Sequence, residues 1–304
     1  MRIEWPGNRC IICLKEAPLS REHLIPKALG GIFTCSFLCK ECNSALGARV
    51  DIEVKKDPRI RFAVDNLESD ISKLAYKFRE GQNVLLHGSS WTEPGKVHKG
   101  IPQVTSRKTE DGALIQSPDE SYKSNEKILR KNGINEDTIQ EGLRRLYEAK
   151  ENEIVELAPG RIAVKRRVEQ VEPDPRGSKL LTPLFPLKIG YEFLALLLGT
   201  AIYKQDPALD RLRVALRQGL ENHPSFHVES LNASEYKPFH GIGFVGNNPH
   251  AVVLIRLFGW LAFRVHFHRL TINHPSISYL HRLDTNQEDI QATNQSADTP
   301  RQSG

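Results

Sequence analysis

The sequence predicts an α+β protein in which a small metal-organised N-terminal module precedes a larger mixed domain with a buried central helix and an antiparallel sheet. Three observations carry that expectation. Residues 1–56 hold two Cys-x-x-Cys pairs and are too short to build much of an apolar core, and segments of that size commonly draw stability from a metal. The stretch TPLFPLKIGYEFLALLLGTAIY, residues 182–203, is apolar on nearly every side, which marks a helix enclosed by other elements. In FRVHFHRL, Phe263, Val265 and Phe267 alternate with Arg264, His266 and His268, the two-residue period of a half-buried strand.

A chain of 304 residues accommodates such a module joined to a larger domain, because single cores stop growing near that length. With 39% hydrophobic and 26% charged residues, the composition excludes a disordered or membrane-embedded chain. The net charge is +5. The acidic residues Asp284, Glu288, Asp289 and Asp298 lie in the tail, so the body is more basic than the total and suits a polyanionic partner. MRIEWPGNRCIICL lacks the apolar region of a signal peptide. The longest apolar run, FLALLLGTAIY, falls short of the roughly 20 residues that span a bilayer. A cytoplasmic protein without a membrane partner is expected.

In chain order, Ile60, Val64, Leu67, Ile71, Leu74 and Phe78 recur every three or four residues and predict one amphipathic helix over 57–80, capped by Asp57 with Pro58 in its first turn. Residues 81–123 hold short strand candidates, HKGIPQVTS and GALIQ. Residues 125–150 read as two helices broken at Asn132-Gly133, and 153–172 as a hairpin turning at Pro159-Gly160. After the buried helix, DRLRVALRQGL is amphipathic, and FHGIGFVG with AVVLIRLFGWLAFRVHFHRL reads as strands interrupted at Gly259-Trp260. His223, His227, His240 and His250 fall in a His-, Asn- and Pro-rich stretch and read as loop histidines. The division expected is a module at 1–56, an α+β domain at 57–282 that binds substrate, senses a ligand or mediates assembly, and a disordered tail at 283–304.

The five cysteines form the pairs Cys10/Cys13 and Cys39/Cys42, 25 residues apart, with Cys35 left over. Two such turns can aim four thiolates at one zinc ion, a closed structural site; redox pairs or buried thiols are the alternatives. Cys35 reads as a small buried hydrophobe. The insert carries Glu22-His23, Pro26 and Gly30-Gly31, and Asn43 directly follows Cys42. Taken singly, His23 reads as a surface or core histidine, Glu22 as a solvated charge, Asn43 as a helix N-cap and the glycines as a turn.

Taken in order, C-x2-C, S-R-E-H-L-I-P-K-A-L-G-G and L-C-K-E-C-N-S-A-L-G resemble the HNH endonuclease family, over roughly residues 8–52. The resemblance implies a zinc-stabilised ββα-metal module that hydrolyses nucleic-acid phosphodiester bonds. It implies His23 as the general base, and Glu22 and Asn43 as holders of a catalytic Mg²⁺ or Mn²⁺, with Cys10, Cys13, Cys39 and Cys42 on structural Zn²⁺. The family's middle Asn falls nine residues before Asn43, where Thr34 stands. Thr cannot copy the amide's bonding to the loop that carries the His. A divalent-metal endonuclease is therefore expected, acting on DNA rather than RNA, in a setting of restriction or phage defence by analogy with the family. The alternative is a zinc-stabilised nucleic-acid-binding protein without catalysis. Lys165, Arg166, Arg167, Arg264, His266 and His268 are candidate nucleic-acid contacts against the plainer reading of a solvated basic face. Assembly into a homo-oligomer is left open.

Overall fold

The computed structural model describes residues 2–88, 92–104, 107–108, 114–115, 118–150, 153–164, 168–233, 235–245 and 250–293. The fold is α+β with mainly antiparallel sheets. The chain divides into two units, Met1–Phe78 with Lys179–Gly304, and Arg79–Ser178. The N-terminal segment therefore belongs to the same unit as residues 179–304, and one hydrophobic cluster runs from Cys10 through Leu194 to Tyr279.

Strand β1 (Arg2–Ile3) lies parallel to β3 (Thr34–Cys39), which pairs antiparallel with β2 (Leu19–His23). The β2–β3 register sets Glu22 opposite Cys35 and His23 opposite Thr34. Between the two strands, Gly30 takes φ +88°, which glycine accepts without strain, and a Cβ on Gly31 would lie 1.8 Å from the Ile25 carbonyl oxygen. Helix α1 (Lys40–Arg49) follows β3 directly. Its cap is Cys39, whose sulfur accepts the Cys42 N–H at 3.5 Å, so Asn43 sits inside the first turn rather than at the cap.

The helix expected over 57–80 is two helices, α2 (Pro58–Asn66) and α3 (Ser72–Arg79). Asp57 caps α2 as expected, accepting the Arg59 N–H at 2.8 Å. The break falls at Glu68-Ser69-Asp70, where short polar side chains favour a turn. Leu67 and Ile71 on either side stay buried, which is why the apolar period runs across the break.

The second unit holds a four-stranded antiparallel sheet, β4 (Asn83–His87), β5 (Thr92–His98), β6 (Ile101–Val104) and, later in the chain, β11 (Gln170–Pro173), in the order β11-β4-β5-β6. The short pair β7 (Arg107–Lys108) and β8 (Leu114–Ile115) precedes α4 (Pro118–Lys131) and α5 (Glu136–Glu148). Gly133, at φ +74°, separates the two helices. The hairpin of β9 (Ile154–Ala158) and β10 (Arg161–Val164) covers α5, burying Leu143 and Leu146 with Val155 and Leu157.

The chain then returns to the first unit with α6 (Leu184–Leu198) and α7 (Pro207–Gln218). Every residue from Leu184 to Ala195 is buried, the enclosed helix that the sequence predicts. With the turn that follows, Leu184–Tyr203 is 20 residues long and apolar enough to cross a membrane by length and composition, yet 67% of its most apolar window is buried inside the fold. The count of one unbroken apolar run missed that length because Lys188 and Glu192 interrupt it. Helix α6 lies on a six-stranded antiparallel sheet of β12 (Phe226–Asn232), β13 (Phe239–Val245), β14 (Ala251–Leu257), β15 (Leu261–Phe267), β16 (Ser276–Arg282) and β17 (Gln287–Thr293), in the order β12-β15-β14-β13-β16-β17. Residues 287–293, expected in the disordered tail, form an edge strand. Its side chains are largely exposed, so backbone pairing to β16 holds it and its composition does not betray it.

Candidate functional site

The four paired cysteines converge. Their sulfurs all lie within 4.8 Å of one another, and Cys13 Sγ is 3.8 Å from Cys39 Sγ. A tetrahedron with Zn–S bonds of about 2.3 Å has edges of about 3.8 Å, so the thiols fit structural zinc. Leu14, at φ +60°, turns the first knuckle, and the Ile11 N–H donates to the Phe37 carbonyl at 3.0 Å, pinning that knuckle to β3. Distant residues hold it too. The Tyr191 hydroxyl donates to the Ile11 carbonyl at 2.8 Å, as does Arg213 Nε at 3.2 Å. Cys35 is buried outside the cluster, and burial pushes its thiol up to about 11.

Glu22 and His23 are neighbours on β2 and so face opposite sides of it. Glu22, only 5% exposed, turns inward. Its Oε1 accepts from Lys188 Nζ at 2.5 Å, and the same ammonium reaches Asp51 Oδ2 at 3.0 Å and Glu192 Oε1 at 3.8 Å. Burial raises the Glu22 carboxyl above its ordinary value, against the opposing pull of Lys188. The same cause lifts Glu192 well above the ordinary value. Lys188 stays charged because the surrounding carboxylates outweigh its own burial.

Asn43 completes this side. Its Nδ2 donates to Ser20 Oγ at 3.0 Å and to the Arg21 carbonyl at 3.1 Å. A carbonyl can only accept, so the amide orientation is fixed and Asn43 Oδ1 points away from both. The Asn43 amide also hydrogen-bonds the Glu22 carboxylate, countering part of the rise in its pKa. Carboxylate and amide oxygens are hard donors of the kind that hold Mg²⁺ or Mn²⁺.

His23 lines an open cleft of about 940 Å³ together with Arg2, Arg21, Lys27, Lys73, Lys77 and the buried Thr34. Asp70, Asp284 and Asn286 line it as well, so five cations face two carboxylates. Partial burial lowers the His23 pKa, and the charges of Lys27, Arg21 and Lys188 lower it further, so the ring is neutral and able to accept a proton near pH 7.

With the cysteine cluster, the hairpin and the following helix in place, the comparison with known families decides the module. Residues 10–58 match the HNH endonuclease family model. No curated protein and no solved structure matches the chain. The HNH match implies nuclease activity on nucleic acid for this module, and the cysteine cluster within it suits structural zinc.

Around the HNH module, the candidate contacts separate. Arg264 and His266 extend from β15 on the face away from its buried Phe263, Val265 and Phe267, whereas His268, expected on the same strand, lies in the turn after it; Arg264 Nη1 donates to Glu229 Oε2 at 2.9 Å and His266 Nε2 lies 3.6 Å from Glu229 Oε1. Lys165, Arg166 and Arg167 lie outside the described residues. Sequence reasoning missed the cations of the cleft, which come from four separate segments. It also missed Lys188, for which a signal existed: Lys188 and Glu192 stand four apart on a helix otherwise apolar all round, and charges there need partners. His240 is completely buried on β13 rather than in a loop. Its Nε2 bonds to the Leu29 carbonyl at 2.8 Å, and its Nδ1 accepts the Phe258 N–H at 3.2 Å.

Proposed function

We propose that the protein is a divalent-metal-dependent endonuclease of the HNH type, with DNA as its substrate and restriction or phage defence as its setting. The observation that carries the proposal is His23 on the wall of a cation-lined cleft within the segment that matches the HNH family. Arg2, Arg21, Lys27, Lys73 and Lys77 give that cleft the positive lining that a phosphate backbone requires. Glu22 and Asn43 would hold the divalent cation, which would supply positive charge to the scissile phosphate and the departing oxygen. His23, neutral near pH 7, removes the proton of the attacking water. Thr34, directly opposite His23 in the ladder, takes the place of the amide that orients this base in the family pattern. The zinc site does no chemistry and fixes the ends of β3 and α1.

Thr34, and the ammonium already on Glu22, favour a second reading, a nucleic-acid-binding module without catalysis. Nicking of supercoiled plasmid in Mg²⁺ or Mn²⁺ separates the two. The nuclease reading expects cleavage by the wild type and on the order of 10²- to 10⁴-fold less by His23→Ala. Salt-sensitive DNA binding with no cleavage in either metal would favour the second.

A further inference from the structure

Lys188 lies beyond residues 10–58, the span of the family match, yet its ammonium is buried inside the HNH module. It is 1% exposed and bridges Glu22 Oε1 at 2.5 Å and Asp51 Oδ2 at 3.0 Å. A lysine so enclosed persists only where carboxylates compensate it. Here α6 brings it to the carboxylate assigned to the catalytic cation. Glu192, one turn along α6, adds a longer ion pair at 3.8 Å, and Glu22 and Asp51 accept the ammonium's hydrogen bonds.

We propose that Lys188 is a resident counter-ion of the catalytic metal site, a positioning residue that shares Glu22 with the divalent cation and thereby weakens metal binding. The inference rests on the nuclease reading above. Two consequences follow from electrostatics. With the ammonium present, Glu22 and Asp51 are compensated and the module is stable before any divalent ion arrives. A divalent ion on the other oxygen of Glu22 then feels a fixed positive charge a few ångströms away, in a partly desolvated site where such repulsion is strong. Pinning one carboxylate oxygen also directs the other toward the Asn43 side, the usual role of a partner to a ligating carboxylate. That role alone predicts the opposite effect of removing Lys188, so the sign of the change decides between them.

The test is Mn²⁺ binding to the zinc-loaded protein, followed by electron paramagnetic resonance, with thermal melting with and without Mn²⁺. Lys188→Met is expected to bind Mn²⁺ about tenfold or more tightly than wild type and to melt lower without Mn²⁺, with most of the loss recovered on adding it. Asp51→Asn, at a partly exposed position, removes negative charge while keeping the ammonium; it is expected to bind Mn²⁺ severalfold more weakly, and it decides the matter should Lys188→Met fail to fold. Unchanged or weaker Mn²⁺ binding by folded Lys188→Met, or unchanged binding by Asp51→Asn, overturns the counter-ion role. Glu22→Gln separates this failure from that of the underlying reading. Mn²⁺ binding lost in Glu22→Gln but not tightened in Lys188→Met sinks only the role of Lys188, whereas binding that survives Glu22→Gln removes the metal position itself.

Discussion

The two ends of the β2–β3 hairpin are built differently. At the Cys39 end, all four thiols come from residues 10–42 and meet through two local turns. At the His23 end, the groups that set charge and shape come from far along the chain: Lys188 on Glu22, His240 on the Leu29 carbonyl, and Lys73 and Lys77 across the cleft. One end gathers four thiols that suit a metal, the other is organised by tertiary packing. Disturbing the first should therefore unfold the module, and disturbing the second should change chemistry with little change in structure.

The largest expected effect is at the sulfur end. Cys39→Ser removes a ligand and the sulfur that caps α1, and should release about one equivalent of zinc. Much of the roughly 10–16 kcal/mol that a structural zinc supplies would go with it. Metal analysis and thermal melting check this, and a stable, zinc-loaded variant would contradict the ligand assignment. At the other end, His23→Ala should lower cleavage on the order of 10²- to 10⁴-fold while zinc content and melting temperature stay near wild type. If the variant instead loses zinc, the proposed separation between the two ends is wrong.

The same contrast explains what could be read from the sequence. Cys-x-x-Cys spacing, the Asp57-Pro58 cap, the break at Gly133 and the alternation around Val265 are local patterns, and each one maps onto the element that it predicts. The zinc cluster was legible for that reason. The partners of Glu22 and the cations of the cleft were not, because no local period links residue 22 to residue 188 or residue 23 to residue 77. Edge strand β17 escaped for a different reason: it is held by backbone hydrogen bonds, to which composition is blind.

His240 offers a smaller effect that tests how far packing governs the His23 end. Burial holds its pKa down at about 4, and the neutral ring meets an acceptor at Nε2 and a donor at Nδ1. Between pH 4 and the unfolded value near 6.5, the unfolded state binds more protons than the native one. Stability is therefore intact above pH 6.5 and is lost as pH falls toward 4, by about 3 kcal/mol for a shift of this size. His240→Gln should be less stable at pH 7 and show a shallower acid slope than wild type. Denaturant melts of both proteins across this range check it, and since both carry the same zinc site, acid release of zinc does not enter the difference. Parallel slopes would show that His240 does not carry the pH dependence.

Tyr191 tests whether the sulfur end is as self-sufficient as its ligands suggest. Its hydroxyl donates to the Ile11 carbonyl within the first Cys-x-x-Cys turn and accepts from Arg213 Nε at 3.1 Å. Tyr191→Phe keeps the ring and removes both hydrogen bonds of the hydroxyl without opening a cavity, while Arg213 and the Ile11 carbonyl remain paired with each other. The expected loss is about 1 kcal/mol, or about 2–4 °C in the melting of a unit of this size. A knuckle held only by zinc and β3 would release its metal to a chromogenic chelator at the wild-type rate in this variant. A knuckle also held by α6 would release it faster, by a factor of about five for 1 kcal/mol acting on the open state. Faster release would place α6 in support of both ends of the hairpin, through Tyr191 at the thiolates and through Lys188 at Glu22.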